Sequence, residues 1–146
     1  MNLIPNDAEP ISPAGISEPG KTLLVVDDDP MIRLVETEIL RQHGYTVLEA
    51  ESAAEALRVA DEAAAIHLLI TDFSMPEVDG LELARRFRTA HPTTPVLMVS
   101  GSMSLLRDRS EEFDRVELLA KPFQSSELLH KVRSLLDATA PLPIRT

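Results

Sequence analysis

Short apolar runs alternate along the chain with longer segments of helical periodicity. The runs are rich in β-branched residues and are bounded by polar or turn-forming residues, which is typical of strands buried on both faces of a parallel sheet. The pattern predicts five strands, at residues 21–26, 45–48, 67–71, 95–99 and 116–120.

A helix is predicted after each strand. In the first, apolar residues recur at helical spacing, Asp29 suits the N-cap, Pro30 suits the first helical position and Gly44 suits the end. The other helices are predicted at residues 52–64, 81–90 and 103–112, and from residue 125 onwards. Strands and helices that alternate with short connections predict an α/β domain, in which helices cover both faces of a parallel sheet.

The two ends of the chain depart from this pattern. Residues 1–20 are rich in proline and small residues, a composition that buries too little surface to offset the entropy of ordering the chain. We therefore expect a flexible leader over residues 1–20, one domain over 21–138 and a short tail over 139–146.

Composition narrows the functional classes. No apolar run approaches the roughly 20 residues of a bilayer span, and the N-terminus lacks the pattern of a secretory signal, so a soluble, cytoplasmic protein is expected. The chain has no cysteine, which leaves no disulfide framework or thiolate metal site. Its net charge of −10 argues against direct nucleic-acid binding and favours a basic partner.

Residues able to carry chemistry follow four of the predicted strands. Asp27 and Asp28 follow the first strand, Asp72 the third, Ser100 the fourth and Lys121 the fifth. In open α/β sheets, ligands bind outside the carboxyl ends of the strands, near the point where the strand order reverses. If the sheet has the flavodoxin-like order 2-1-3-4-5, these groups converge on one rim.

The acids on this rim predict a bound divalent cation. Carboxylates held together repel one another unless a cation neutralises them, and Mg²⁺ prefers carboxylates with carbonyl, water and phosphate oxygens. A metal, a lysine and a hydroxyl together suit the oxygens of a phosphoryl group in transit. Asp72 is the best-placed nucleophile because it stands singly on the central strand, whereas Asp27 and Asp28 form a pair suited to the metal.

Four motifs stand at these strand ends. They are Val25-Val26-Asp27-Asp28-Asp29-Pro30, Thr71-Asp72-Phe73-Ser74-Met75-Pro76 with Asp79-Gly80, Val99-Ser100-Gly101 and Lys121-Pro122-Phe123. In this order and spacing they resemble the receiver domain of response regulators in two-component signalling, over about residues 21–137. The resemblance implies a flavodoxin-like (βα)5 fold of strand order 2-1-3-4-5.

The resemblance also implies a role for each rim residue. Asp72 is then the phosphoryl acceptor, and Asp27, Asp28, Asp72 and the backbone carbonyl of Ser74 hold Mg²⁺. Lys121 matches the phosphate-binding lysine of the family.

Ser100 matches the switch hydroxyl of the family, and the peptide bond that precedes Pro122 is expected to be cis, as in other receivers. The sequence departs from the family at Leu118, where many receivers carry the aromatic residue of the switch. It also carries Ser100 and Gly101 where threonine and alanine are commoner, so the readout of phosphorylation is expected to differ.

The partners implied are a histidine kinase or histidine phosphotransfer protein as the donor and an unknown protein as the downstream target. The chain is expected to catalyse only its own phosphorylation and dephosphorylation, and so not to be a turnover enzyme. No output domain follows in the sequence, which suggests a stand-alone receiver or one excised from a larger protein such as a hybrid kinase.

Two other functions fit part of the pattern. A magnesium-dependent phosphatase of the haloacid dehalogenase type also uses an aspartyl nucleophile, and Asp27 and Asp29 have its spacing. The chain lacks cap-sized insertions, and the segments around Asp72 and Lys121 count against this class. A pseudo-receiver that serves only as a scaffold is disfavoured by the intact acids and lysine.

Overall fold

The computed structural model describes residues 20–102, 104 and 116–139. Its elements are β1 Thr22–Val26, α1 Pro30–Gln42, β2 Thr46–Ala50, α2 Ala53–Glu62, β3 Leu68–Asp72, α3 Gly80–Ala90, β4 Val96–Ser100, β5 Val116–Ala120 and α4 Ser125–Thr139. None of the helices in these ranges has the length and apolar character of a membrane span. The helix predicted at residues 103–112, the leader and the tail lie outside the described residues except at positions 104, 20 and 139.

All five strands are parallel and lie in the order β2-β1-β3-β4-β5. The chain moves to one side of β1 to form β2 and then crosses to the other side to form β3, so the order reverses at β1. The predicted α/β fold and its strand order 2-1-3-4-5 are confirmed. Since β1 and β3 are neighbours, their carboxyl ends meet at the reversal point, where ligands bind in this class of sheet.

Two apolar layers cover the sheet. Successive side chains of a strand point to opposite faces, so Leu24 and Val26 of β1 pack with α2 and α3, whereas Leu23 and Val25 pack with α1 and α4. All residues of β3 and β4 are buried, in keeping with the apolar runs 68–70 and 96–99 that make up most of these strands. The edge strand β5 is only partly buried.

Side-chain oxygens cap the first three helices. The capping residues are Asp29 for α1, Ser52 for α2 and Asp79 for α3. The cap predicted at Asp29 is confirmed, and helix termini of this kind leave backbone N–H groups that such oxygens satisfy. Strand β2 runs to Ala50, two residues beyond its predicted end, because its last residues pair with the buried end of β1.

We expect Asp29→Ala to lower the free energy of unfolding by about 1 kcal/mol, measured by urea denaturation without added metal. Asp29 Oδ1 accepts hydrogen bonds from the backbone N–H groups of Met31 at 2.9 Å and Ile32 at 3.3 Å, and alanine leaves both without this acceptor. Glu38→Ala, on the exposed side of the same helix, is the matched control and is expected to change the value by less than about 0.5 kcal/mol. Equal effects of the two substitutions would contradict the prediction.

Candidate functional site

The carboxyl ends of three strands bring two acids and a lysine together. Lys121 Nζ, just past β5, lies 3.1 Å from Asp72 Oδ1 at the end of β3 and 3.6 Å from Asp27 Oδ2 just past β1. Both carboxyl groups are buried, whereas about a fifth of the lysine side chain is exposed (22%). The lysine therefore joins the two strand ends and closes one side of the rim.

Asp28 completes an acidic cluster on the same rim. Carboxylate oxygens of Asp27, Asp28 and Asp72 all lie within 4.8 Å of one another. Asp28 is exposed to solvent, while the other two are buried, so the cluster is open on one side. The three acids that the sequence analysis selected do come together.

Burial and mutual repulsion control the charges of this cluster. Burial raises the pKa of Asp72 above its ordinary value of 3.8, against the opposing hydrogen bond from Lys121, and the charge of Asp27 adds to the rise. Burial also raises the pKa of Asp27, against the opposing hydrogen bond from the Asp29 N–H. Burial acts to lower the pKa of Lys121, but its hydrogen bond with Asp72 and the nearby negative charges outweigh this effect and raise it.

The donor set of the cluster fits a hard divalent cation. Asp27 Oδ2 is buried and has no hydrogen-bond partner within the described residues, although carboxylate oxygens in such places are normally bonded. Three carboxylates stand beside one lysine, so the ionised cluster has more negative charge than Lys121 neutralises. Three carboxylates with an open side match the ligands that Mg²⁺ takes from proteins.

A network of hydrogen bonds holds the acidic loop after β1. The guanidinium of Arg33 donates through Nη1 to the backbone carbonyl of Asp27 at 2.6 Å and through Nε to Glu49 Oε1 at 3.3 Å. The backbone N–H of Asp29 donates to Asp27 Oδ1 at 2.9 Å. The sequence analysis missed Arg33, because a single arginine on a helix near a strand end is a weak signal.

The loop after β3 is held by glycine and backbone contacts. The N–H of Gly80 donates to the carbonyl of Phe73 at 2.8 Å, and the Phe73 N–H donates to the carbonyl of Val99 at 2.8 Å. Ser74, two residues past Asp72, is exposed in this loop. Its backbone lies on the loop that borders the acidic cluster, and its role as a carbonyl ligand stays a prediction.

Ser100 lies on the neighbouring strand end and is engaged with its own loop. Its Oγ accepts a hydrogen bond from the N–H of Ser102 at 2.9 Å and donates to the Ser102 carbonyl at 3.3 Å. The backbone N–H of Lys121 donates to the Ser100 carbonyl at 2.9 Å, so the two loops are coupled. The structure therefore places the predicted switch hydroxyl beside the rim but bonded to Ser102.

Two further expectations concern β5 and the segment after it. The peptide bond between Lys121 and Pro122 is cis, which confirms the expected isomer. Leu118, at the position expected for an aromatic switch residue, is half-buried on β5 and packs against the apolar layer that includes α2 and α3. Its side chain is thus part of the sheet packing.

The chain matches a known protein family and several characterised proteins. A family model described as the response regulator receiver domain matches residues 23–133. The chain is 34% identical over 118 residues to the sensor kinase CckA of Brucella abortus (strain 2308), covering 80% of this chain and 12% of that protein. It is 30% identical over 114 residues to the transcriptional regulatory protein CpxR of Escherichia coli (strain K12), covering 78% of this chain and 48% of that protein. The chain thus spans less than half the length of these relatives.

Solved receiver structures agree with this assignment. The receiver domain of the hybrid histidine kinase CckA superposes with a TM-score of 0.68 at 35% identity, covering 79% of this chain and 98% of that one. The Vibrio cholerae chemotaxis protein CheY4 superposes with a TM-score of 0.75 at 29% identity, with the same coverage. The chain belongs to the response regulator receiver domain family and is a receiver domain of a two-component system.

Proposed function

We propose that the chain accepts a phosphoryl group from a phosphohistidine donor onto Asp72, with Mg²⁺ held at the rim, and signals through a partner protein. The observation that carries this proposal is the contact of Lys121 Nζ with the buried Asp72 carboxylate at 3.1 Å, inside a cluster of three acids. The proposed nucleophile, the ammonium group proposed to bind phosphoryl oxygens and the acids proposed to hold the metal thus lie close together.

In the proposed reaction a carboxylate oxygen of Asp72 attacks phosphorus, and a P–O bond forms while the P–N bond of the donor breaks. The electron pair of that bond returns to the imidazole nitrogen. Lys121 is placed to neutralise charge on the transferred group, since its Nζ already lies beside the attacking carboxylate. Attack of water on the aspartyl phosphate then releases inorganic phosphate and regenerates Asp72, so the domain promotes its own chemistry and is not a turnover enzyme.

We propose that Asp27, Asp28, Asp72 and the carbonyl of Ser74 hold the metal. Mg²⁺ would supply charge neutralisation and orientation of phosphoryl oxygens when bound. Asp27 is the buried member of the pair. The Asp29 N–H donates to its Oδ1, whereas its Oδ2 has no hydrogen-bond partner within the described residues and lies 3.6 Å from Lys121 Nζ. Asp28 is the exposed member and is therefore open to a hydrated ion entering from solvent.

The donor is proposed to dock on the exposed apolar side of α1. Met31, Leu34 and Val35 are exposed large hydrophobic residues, with 66%, 50% and 49% of their surface accessible. A cavity of about 410 Å³ beside them is also lined by Lys121 and by Phe123. A protein with a complementary apolar surface that covers this cavity would bring its phosphohistidine next to Asp72 and exclude water from the transfer.

The output is proposed to pass to a separate, unknown protein target. Because Leu118 packs against the sheet and offers no aromatic ring, the change on phosphorylation is proposed to run through Ser100 and its bond with Ser102. A hydroxyl that turns from Ser102 toward a phosphoryl oxygen would release the loop after β4. A cytoplasmic location stays a prediction, as does the lack of direct nucleic-acid binding.

The proposal is tested by incubating the protein with acetyl phosphate and Mg²⁺ and mapping the modified peptide by mass spectrometry. We expect one phosphoryl group per chain, on the peptide that contains Asp72, and loss of labelling when EDTA removes the metal. Labelling of another residue, or labelling that persists in EDTA, would contradict the proposal. A scaffold pseudo-receiver would remain unlabelled under all conditions.

The phosphatase alternative makes a different prediction in the same assay. It requires Asp29 to act as an acid beside Asp27, but Asp29 Oδ1 is occupied by two backbone N–H groups as the cap of α1. Repeated release of phosphate from phosphomonoesters, lost in Asp27→Asn, would support that alternative over the receiver function.

A further inference from the structure

A buried carboxyl group on α1 has no role in the site described so far. Glu36 is 1% exposed, its Oε2 has no hydrogen-bond partner, and no ion pair joins it to a basic residue within the described part of the chain. Asp27 Oδ2 and Thr37 Oγ1 are also buried without hydrogen-bond partners there. Glu36 lies one helical turn from Ile32, which lines a cavity with Lys121, and from Arg33, which bonds the Asp27 carbonyl.

The rim charges act on Glu36 from three strand ends. Burial raises its pKa to about 8; the negative charges of Asp27 and Asp72 add to the rise, while the positive charge of Lys121 opposes it. The charge of Glu36 is therefore coupled to the charges of the proposed metal site, although its Oε2 forms no hydrogen bond within the described residues.

Within the described part of the chain, Lys121 is the one positive group that lowers the pKa of Glu36. On β2, Glu49 is engaged by Arg33 and Arg41 of α1, at 3.3 Å and 3.5 Å. The side chains of α4 in the apolar layer that it shares with α1, such as Leu128 and Val132, carry no charge. The charges that act on Glu36 are thus those of the rim.

A carboxyl group in this place is costly to the fold. Burial of an ionised carboxylate without partners is strongly unfavourable, and an apolar residue of similar size in a helix core is generally neutral or stabilising by comparison. The periodicity of α1 assigns position 36 to the buried face, four residues from both Ile32 and Leu40, where apolar residues normally stand. Packing therefore does not account for Glu36, whereas its coupling to the rim does.

We propose that Glu36 is a proton-linked positioning residue of the receiver site, whose carboxyl group carries a proton in the metal-free protein and releases it to solvent when a divalent cation binds at the rim. This inference rests on the Mg²⁺ site of the proposed function. The cation adds positive charge beside Asp27 and Asp72, so the pKa of Glu36 falls, although the effect of its burial remains. Up to one proton is released for each cation bound.

The expected consequence is a pH-dependent affinity for Mg²⁺. Below the pKa of Glu36 in the metal-free protein, release of one proton per ion makes the affinity rise with pH by up to about tenfold per unit. Above that pKa the carboxylate is already ionised and this contribution to the slope disappears. Phosphorylation of Asp72 adds negative charge to the rim and is expected to favour the protonated form of Glu36 again.

The test measures Mg²⁺ binding by isothermal titration calorimetry between about pH 6.5 and 9. Titrations in two buffers of different ionisation enthalpy count the protons released. We expect Glu36→Gln, a neutral isostere, to abolish proton release in this range and to reduce the change in affinity between about pH 7 and 8 from several-fold to less than twofold. Glu36→Leu is the second variant, and it is expected to give the same flat profile.

Thr37→Val is the matched control. It removes the adjacent buried and unpartnered hydroxyl without changing any charge, so it is expected to leave the wild-type pH profile of Mg²⁺ affinity intact.

The metal-free proteins provide a second readout by urea denaturation. Because its pKa is raised on folding, Glu36 makes wild-type stability fall as pH rises from about 4.5 to about 8, and this part of the fall is absent in Glu36→Gln.

The outcomes separate this inference from the function on which it rests. If wild-type protein binds Mg²⁺ and is labelled at Asp72, but Glu36→Gln retains its pH profile and proton release, the role of Glu36 is wrong and the receiver function stands. If wild-type protein neither binds Mg²⁺ nor is labelled, both are wrong. A flat profile in both Glu36 variants with an unchanged profile in Thr37→Val supports the inference.

Discussion

Asp72→Asn is expected to abolish phosphoryl labelling by acetyl phosphate, because the amide of asparagine is not a nucleophile for phosphorus. Labelling is measured as the phosphorylated fraction in intact-protein mass spectra, with Mg²⁺ present. Asp61→Asn, which changes an exposed acid of α2, is the matched control and is expected to be labelled like wild type. Labelling of Asp72→Asn at the wild-type level would disprove the role of Asp72.

The loss of labelling is not expected to come from unfolding. The pKa of Asp72 is raised by burial, so in the folded protein its ionised form is disfavoured, and stability falls as pH rises from its ordinary pKa of 3.8 through the raised value. Asparagine removes this penalty. In metal-free buffer at neutral pH, Asp72→Asn is therefore expected to have a urea midpoint at or above that of wild type, and the difference is expected to vanish at low pH.

Gly80→Ala is expected to destabilise the protein by about 3 kcal/mol, the upper end of the usual cost of overpacking, and to lower labelling of Asp72 in parallel. A Cβ at Gly80 would lie 2.5 Å from the carbonyl oxygen of Asp72, 2.7 Å from Met98 Sδ and 3.0 Å from the Cα of Phe73. The methionine side chain is flexible, but the backbone of Asp72 and Phe73 is held in the sheet and by the Gly80 N–H. The loop must therefore move, and the acceptor residue moves with it.

Gly101→Ala is the matched control for this substitution. A Cβ at Gly101 meets no atom of the described residues within 4 Å, so the same chemical change is expected to be neutral or to stabilise by up to about 1 kcal/mol through the unfolded chain. Urea denaturation measures both variants. A cost for Gly80→Ala no greater than that for Gly101→Ala would show that the loop after β3 is free to shift.

The residues of the rim could be predicted from the sequence, but the distances between them could not. Short apolar runs identified the strands. Asp27, Asp72 and Lys121 were then selected because each follows such a run, and the carboxyl ends of parallel strands share one edge of the sheet. The distances of 3.1 Å and 3.6 Å from Lys121 to these two acids required the assembled sheet. The reason is that β1, β3 and β5 are far apart in sequence, and only the crossovers bring their carboxyl ends to the same edge of the sheet.

The helical period of α1 places Glu36 on the buried face but does not explain why a charged residue stands there. Its place on the buried face of α1 follows from the helical period, and a charged residue at such a position was a signal available in the sequence. Its coupling to Asp27 and Lys121 was not, because α1 and the strand ends meet only after the helix packs on the sheet. Arg33 is a similar case, since its bond to the Asp27 carbonyl depends on the path of the loop between β1 and α1.

The sequence by itself determined the α/β class, the succession of elements, the Asp29 cap and the residues of the rim, because these depend on local periodicity and on which residue follows each strand. Tertiary structure decided the rest. Only packing showed that Asp72 and Asp27 are buried with raised pKa values, that Ser100 is bonded to Ser102 and that Gly80 has no space for a side chain. Burial and close approach are properties of the assembled layers, and charges shift only once those layers exclude water.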